Sequence, residues 1–126
     1  MKIKGIAAET LDSLLEMGKG SHPREFAAFL PAEDGVICGD PYIIPGTIGG
    51  SQSTSVLFDM IPINLGHVGS AHSHPSGAIL PSEADISFFS RAGAYHIIVG
   101  YPYDQDCWRC FRSDGSPMDL PVITND

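Results

Sequence analysis

Positive charge is scarce in this chain. Seven Lys and Arg stand against fifteen Asp and Glu, a formal net charge of −8 at pH 7. Nucleic-acid binding ordinarily rests on a basic patch that neutralises phosphates, so this balance argues against such a partner. Long apolar runs are also missing. The longest, such as 97–100, fall far short of the roughly 20 residues needed to span a bilayer, and no membrane partner is expected. Met1-Lys2-Ile3-Lys4 has no apolar core of the kind a secretory signal carries, so the expected compartment is the cytoplasm. Cysteine is sparse and odd in number, with Cys38, Cys107 and Cys110 only, which favours reduced thiols. Cys107-Trp108-Arg109-Cys110 has the spacing of a metal knuckle, but no second Cys-x-x-Cys supplies the remaining ligands of a structural zinc site. No GxGxxG or Gly-Lys-[Ser/Thr] occurs, so no phosphate-cradling loop is expected. His-x-Glu is absent too, which argues against the nucleoside deaminase that a Cys-x-x-Cys pair would otherwise suggest.

What is present describes a globular chain. A hydrophobic content of 43% over 126 residues is enough for one domain, 1–126, with a substantial core. The spacing of Leu11, Leu14, Leu15 and Gly18 predicts a helix over 6–18, ended by Gly18 and Gly20 and followed by a turn holding His22 at the surface. Residues 25–30 fit helix or strand by pattern. Shortness and the stop expected at Pro31 favour a buried strand with Glu25 at its entrance. On local sequence alone Glu25 reads as a surface carboxylate beside Arg24. Further strands are expected over 35–44, interrupted at 39–41, over 53–59 and over 67–74. The glycines of 45–50 suggest a mobile loop, and 60–65 a connector. A second helix is expected from Ser82 to about Ala92 with Ile86, Phe89 and Ser90 inward. A strand over 94–101 and a hairpin of 107–113 with 118–124 around Asp114-Gly115 complete the order. This is an α/β chain with one mixed sheet.

The chemistry concentrates in Ala71-His72-Ser73-His74-Pro75 and Pro81-Ser82-Glu83-Ala84-Asp85. On a strand of period two, His72 and His74 share one face and Ser73 takes the other, while His67 has the opposite parity to His74. Asp85 falls in the first turn of the second helix. Two imidazoles and a carboxylate make a three-ligand zinc set with a fourth position open, as catalytic sites require. Either half alone has an ordinary structural reading, since Ser82-x-x-Asp85 is also a capping-box-like helix start.

The arrangement resembles the JAMM (MPN+) metalloprotease family, whose motif is a distant Glu, then His-[Ser/Thr]-His, seven residues, Ser, two residues and Asp. Glu25, His72-Ser73-His74, Ser82 and Asp85 match it without a spacing violation. Tyr95-His96-Ile97-Ile98-Val99 and Tyr101-Pro102-Tyr103-Asp104 also resemble the short archaeal and bacterial members. The resemblance implies a single MPN/JAMM-type domain, a curved mixed β-sheet flanked by helices in a cytidine-deaminase-like layout. It implies one Zn2+ per chain held by His72, His74 and Asp85, with Glu25 as general base and Ser82 as donor to the oxyanion. Ser73 is expected to be a supporting or packing residue. The implied activity is hydrolysis of isopeptide or C-terminal peptide bonds after the Gly-Gly tail of ubiquitin-like modifier proteins. A peptidase processing the C-terminus of a sulfur-carrier protein needs the same parts, and a non-catalytic MPN scaffold subunit is the alternative outside enzymes. The chain lacks room for the long insertions with which larger relatives choose a ubiquitin linkage.

Overall fold

Period-two alternation along the central strands sorts the core onto two faces of one sheet. The computed structural model of the protein describes residues 2–44 and 67–124. The elements in chain order are β1 (Gly5–Ala7), α1 (Ala8–Ser21), β2 (Ala27–Glu33), β3 (Val36–Ile37), β4 (Tyr42–Ile43), β5 (His67–His74), α2 (Glu83–Phe89), β6 (Tyr95–Gly100), β7 (Trp108–Phe111), β8 (Pro117–Met118) and β9 (Val122–Ile123). Among the described residues the strands run β8-β7-β6-β5-β2-β3-β1-β9, with β4 also pairing β2. β5 and β6 are parallel and joined through α2, whereas β2–β5 and β6–β7 are antiparallel. This is the mixed curved sheet with helices that the resemblance implies.

Ala28, Leu30, Ala71, Ile97, Val99 and Cys110 point to one face and form a cluster with Leu11, Leu14 and Leu15 of α1. Their alternates Phe29, Ile98 and Phe111 pack with Phe88 and Phe89 of α2 on the other. Truncating a fully buried leucine such as Leu14 to alanine costs about 2–5 kcal/mol, so α1 is held chiefly by this packing. Gly69 is demanded by a close approach of β5 to β6: a Cβ there would lie 1.5 Å from the Tyr95 carbonyl oxygen. Among the described residues no helix is long and apolar enough to cross a membrane.

Several boundaries differ from the sequence reading. The first helix is Ala8–Ser21, because residues 5–7 are drawn into β1 by parallel pairing with β3 and β9. Gly18 does not end the helix; it leaves room for the Tyr103 ring, which a Cβ would meet at 2.4 Å. Pro31 does not end β2 either. The register shifts between Leu30 and Pro31, so the residue without an N–H sits at an irregularity. α2 ends at Phe89, with Phe88 and Phe89 buried, and Ser90 is exposed rather than inward. The last hairpin is only β7 with β8, and β9 pairs β1 at the opposite end of the sheet. The expected strand 53–59, the loop 45–50 and the connector 60–65 lie outside the described residues.

His96 of β6 is buried with no exposure and stacks on Phe89 at 4.1 Å between ring centres. The Gly93 carbonyl can only accept, so Nε2 donates to it at 2.8 Å and Nδ1 accepts from the Ser70 hydroxyl at 2.8 Å. Burial pushes the imidazole pKa down from 6.5 to about 4. The folded value lies below the unfolded one, so the unfolded chain binds more protons as pH falls from 6.5 to 4. Stability is therefore lost through that window, by about 3 kcal/mol. Urea unfolding of metal-free protein at pH 7 and pH 4.5 is expected to show this loss, and His96→Gln to show a smaller pH dependence. Equal pH dependence of the two proteins would contradict it.

Candidate metal centre

β5 leaves the sheet with His72 and His74 on the α2 face. The chain then returns through residues 75–81 to start α2, which carries Asp85 in its first turn. The loop turns tightly: the Gly77 N–H donates to the His74 carbonyl at 3.0 Å, and Gly77 takes φ +84°, a conformation costly for any other residue. Ser82 caps the helix. Its hydroxyl oxygen accepts from the Asp85 N–H at 3.1 Å, while Asp85 Oδ2 accepts from the Ser82 N–H at 2.9 Å. This reciprocal box fixes the rotamer of Asp85 and aims its carboxylate at β5.

The three side chains meet. His72 Nε2 lies 3.0 Å from His74 Nε2 and 3.3 Å from Asp85 Oδ1, and His74 Nε2 lies 3.2 Å from Asp85 Oδ2. Bonds of about 2.0–2.1 Å at tetrahedral angles place ligand atoms roughly 3.3 Å apart, so these spacings fit a small tetrahedral ion such as zinc. His74 Nδ1 donates to the Ala78 carbonyl at 2.7 Å, which leaves the Nε2 lone pair directed at the centre. The side chains of His72, His74 and Asp85 are 13%, 15% and 21% exposed, largely sheltered but not fully buried. Among the described residues, these are the His, Cys, Asp and Glu side chains grouped closely enough to hold an ion.

The electrostatics follow from this convergence. Burial disfavours charge on Asp85, but hydrogen bonds from His72 and His74 outweigh it and hold the carboxyl well below the usual carboxylate range. The hydrogen bond to Asp85 raises the pKa of His74 against the opposing effect of burial, and the charge of Glu25 adds to the rise. Glu25 itself is exposed, two residues ahead of β2, and its field reaches the centre. Ser82 is exposed beside Asp85; its oxygen serves the cap, and its hydroxyl proton is left to donate elsewhere.

Other residues fall into place around the centre. Ser73 is buried on the α1 face, where its hydroxyl oxygen accepts the Phe26 N–H at 3.0 Å. His67 packs on Phe29 at 4.4 Å between ring centres, so it lies on the α2 face and not on the opposite one that its parity predicts. The register shift at Leu30 and Pro31, with Val68 turned to the α1 cluster, breaks the alternation there. His22 is exposed in the turn after α1, hydrogen-bonded through Nδ1 to the Tyr103 hydroxyl at 2.9 Å. Cys38, Cys107 and Cys110 are free thiols. Sequence reasoning missed the Ala78 carbonyl that orients His74. Nothing in a side-chain motif could signal it, because it is a backbone group placed by the loop.

Residues 7–112 match the family described as prokaryotic homologs of the JAB domain. A probable metalloprotease of Haloferax volcanii is 40% identical over 134 aligned residues, covering 99% of this chain and 83% of that protein. A JAB1/MPN domain protein from Archaeoglobus fulgidus superposes with a TM-score of 0.78 at 37% identity, covering 94% of this chain and 98% of the other. A structure described as JAMM, a metalloprotease-like zinc site in the proteasome and signalosome, superposes with a TM-score of 0.74 at 34% identity, covering 97% and 99%.

His72→Ala, His74→Ala and Asp85→Ala are each expected to abolish tight zinc binding, whereas Glu25→Gln keeps it, as measured by metal content after dialysis. Protons compete for the ligands, and the raised pKa of His74 brings that competition in from above the ordinary imidazole range as pH falls. Zinc affinity titrated from pH 8 to pH 5 should therefore decline steadily. A flat profile would contradict the assignment.

Proposed function

The chain belongs to the prokaryotic homologs of the JAB domain, and on that premise we propose that it is a zinc-dependent metalloprotease acting on ubiquitin-like modifier proteins. The bond cut is the isopeptide, or C-terminal peptide, bond that follows the modifier's Gly-Gly tail. The observation that carries the reading is the convergence of His72, His74 and Asp85, with Glu25 near enough for its charge to raise the pKa of His74. A bound zinc would polarise the scissile carbonyl and lower the pKa of water toward about 7, which supplies a nucleophile at neutral pH.

The chain's own residues do the rest. Glu25 takes the proton of the attacking water on its carboxylate and hands it to the departing amine. Ser82 donates its hydroxyl proton to the carbonyl oxygen as negative charge develops there. The cap does not compete with this role, because the hydroxyl uses its oxygen towards the Asp85 N–H. In the metal-free centre hydrogen bonds from His72 and His74 already hold Asp85 ionised, the form in which it would ligate zinc. The preference for a diglycine tail follows from its lack of side chains, which lets an extended backbone approach a sheltered centre closely. A scaffold role without catalysis is disfavoured because the complete donor set is present and aimed inward. The free thiols accord with the cytoplasm as the working compartment.

The test uses zinc-loaded protein and a ubiquitin-like domain whose C-terminal Gly-Gly is joined to the Nε of a lysine peptide. A second probe carries a linear C-terminal extension. Cleavage of the lysine-linked probe is expected, with kcat reduced about 10²–10⁴-fold in Glu25→Gln and about 10²–10³-fold in Ser82→Ala at unchanged zinc content. Cleavage of the linear probe alone would instead favour the peptidase that trims sulfur carriers. Full activity in Glu25→Gln would overturn the assignment of the base.

A further inference from the structure

Glu25 lies just outside the sheet, yet a general base must be held within a fraction of an ångström. The segment that carries it is tied at both ends. On the upstream side, the His22 ring stacks on Tyr101 at 4.8 Å, Nδ1 bonds the Tyr103 hydroxyl at 2.9 Å, and the Arg24 N–H donates to the Ser21 carbonyl at 2.8 Å. On the downstream side, Ala27 pairs with His72 as the last residue of the β2–β5 ladder. One step further out, the Ser73 N–H still donates to the Phe26 carbonyl at 3.1 Å. The Phe26 N–H, however, goes to the Ser73 hydroxyl at 3.0 Å.

That substitution of a side-chain acceptor has a geometric consequence. The Phe26 N–H belongs to the same planar peptide unit as the Cα and carbonyl of Glu25. Fixing its direction therefore fixes the plane from which Glu25 departs. The bond is buried, with Ser73 0% and Phe26 2% exposed, so the N–H has no ready alternative in water. Ser73 stands between His72 and His74, so the strand that carries the two imidazoles also sets the entry angle of the segment that bears Glu25.

We infer that Ser73 is a positioning residue for Glu25, acting through the Phe26 amide rather than through the metal. The inference rests on Glu25 serving as the base proposed above. A hydroxyl acceptor is what the position requires, so threonine should replace serine and alanine should not.

The test combines amide exchange with a double-mutant cycle on the zinc-loaded protein and the lysine-linked probe. In Ser73→Ala the Phe26 amide is expected to exchange with solvent at least tenfold faster, with zinc content unchanged. Its kcat should fall about tenfold to a hundredfold with little change in KM, and Ser73→Thr should restore both readouts. In a Glu25→Gln background Ser73→Ala should add no further loss, since the group it positions no longer acts. An equal loss in that background, or an unchanged Phe26 exchange rate, would overturn the inference. Full activity of Glu25→Gln alone would remove the base on which it rests, a failure of the parent proposal that the exchange measurement distinguishes from loss of the Ser73 bond.

Discussion

The alternation of side chains along β5 is the constraint on which the rest depends. A strand sends successive residues to opposite faces, so His72 and His74 must share the α2 face, and Ser73 must enter the α1 face. The same alternation places Ala71 in the α1 cluster, while Ile98, opposite His72 on β6, joins the α2 cluster. Site and core are thus specified by one register. A slip of one residue between β5 and its neighbours would bury both imidazoles under α1 and turn Ser73 and Ala71 outward. Gly69, pressed against the Tyr95 carbonyl, admits β6 at the spacing this register needs.

The third ligand arrives by a different route, and local chemistry makes it dependable. Asp85 is both the reciprocal partner of a helix cap and a donor to the centre. Its backbone is tied to the Ser82 hydroxyl and its carboxylate to the Ser82 N–H, so folding of the helix start orients the ligand before any ion arrives. The imidazoles then stabilise the carboxylate's charge against the cost of burial. On the other side of the centre, the Ala78 carbonyl selects the tautomer of His74 that leaves Nε2 free. The site is preorganised by backbone groups as much as by its ligands, which accounts for spacings near those of a tetrahedral ion.

Much of this was legible in the sequence because it is written in short range. His-x-His on a strand, Ser-x-x-Asp at a helix start and the leucine stripe of α1 each need only local periodicity. What escaped is long range or irregular. β1 is three residues long, and parallel pairing with β3 and β9 defines it, not its own pattern. β2 runs through Pro31 because the ladder shifts register there, and no local rule announces a shift. Gly18 looked like a stop signal but is a packing position for Tyr103, a residue 85 positions later in the chain. Glu25 was the least legible. Its surroundings are those of an ordinary surface carboxylate, and only the tertiary pairing of β2 with β5 brings its charge within reach of His74.

The central claim is that β5 and α2 together build a zinc centre from two imidazoles and one carboxylate. X-ray absorption at the zinc edge, on protein loaded with one equivalent of metal, tests it most directly. The account predicts four nitrogen or oxygen scatterers at about 2.0–2.1 Å, with the multiple-scattering signature of two imidazoles. A sulfur scatterer at about 2.3 Å would move the ion to the Cys107–Cys110 region and contradict the account, as would six oxygen-type neighbours without imidazole.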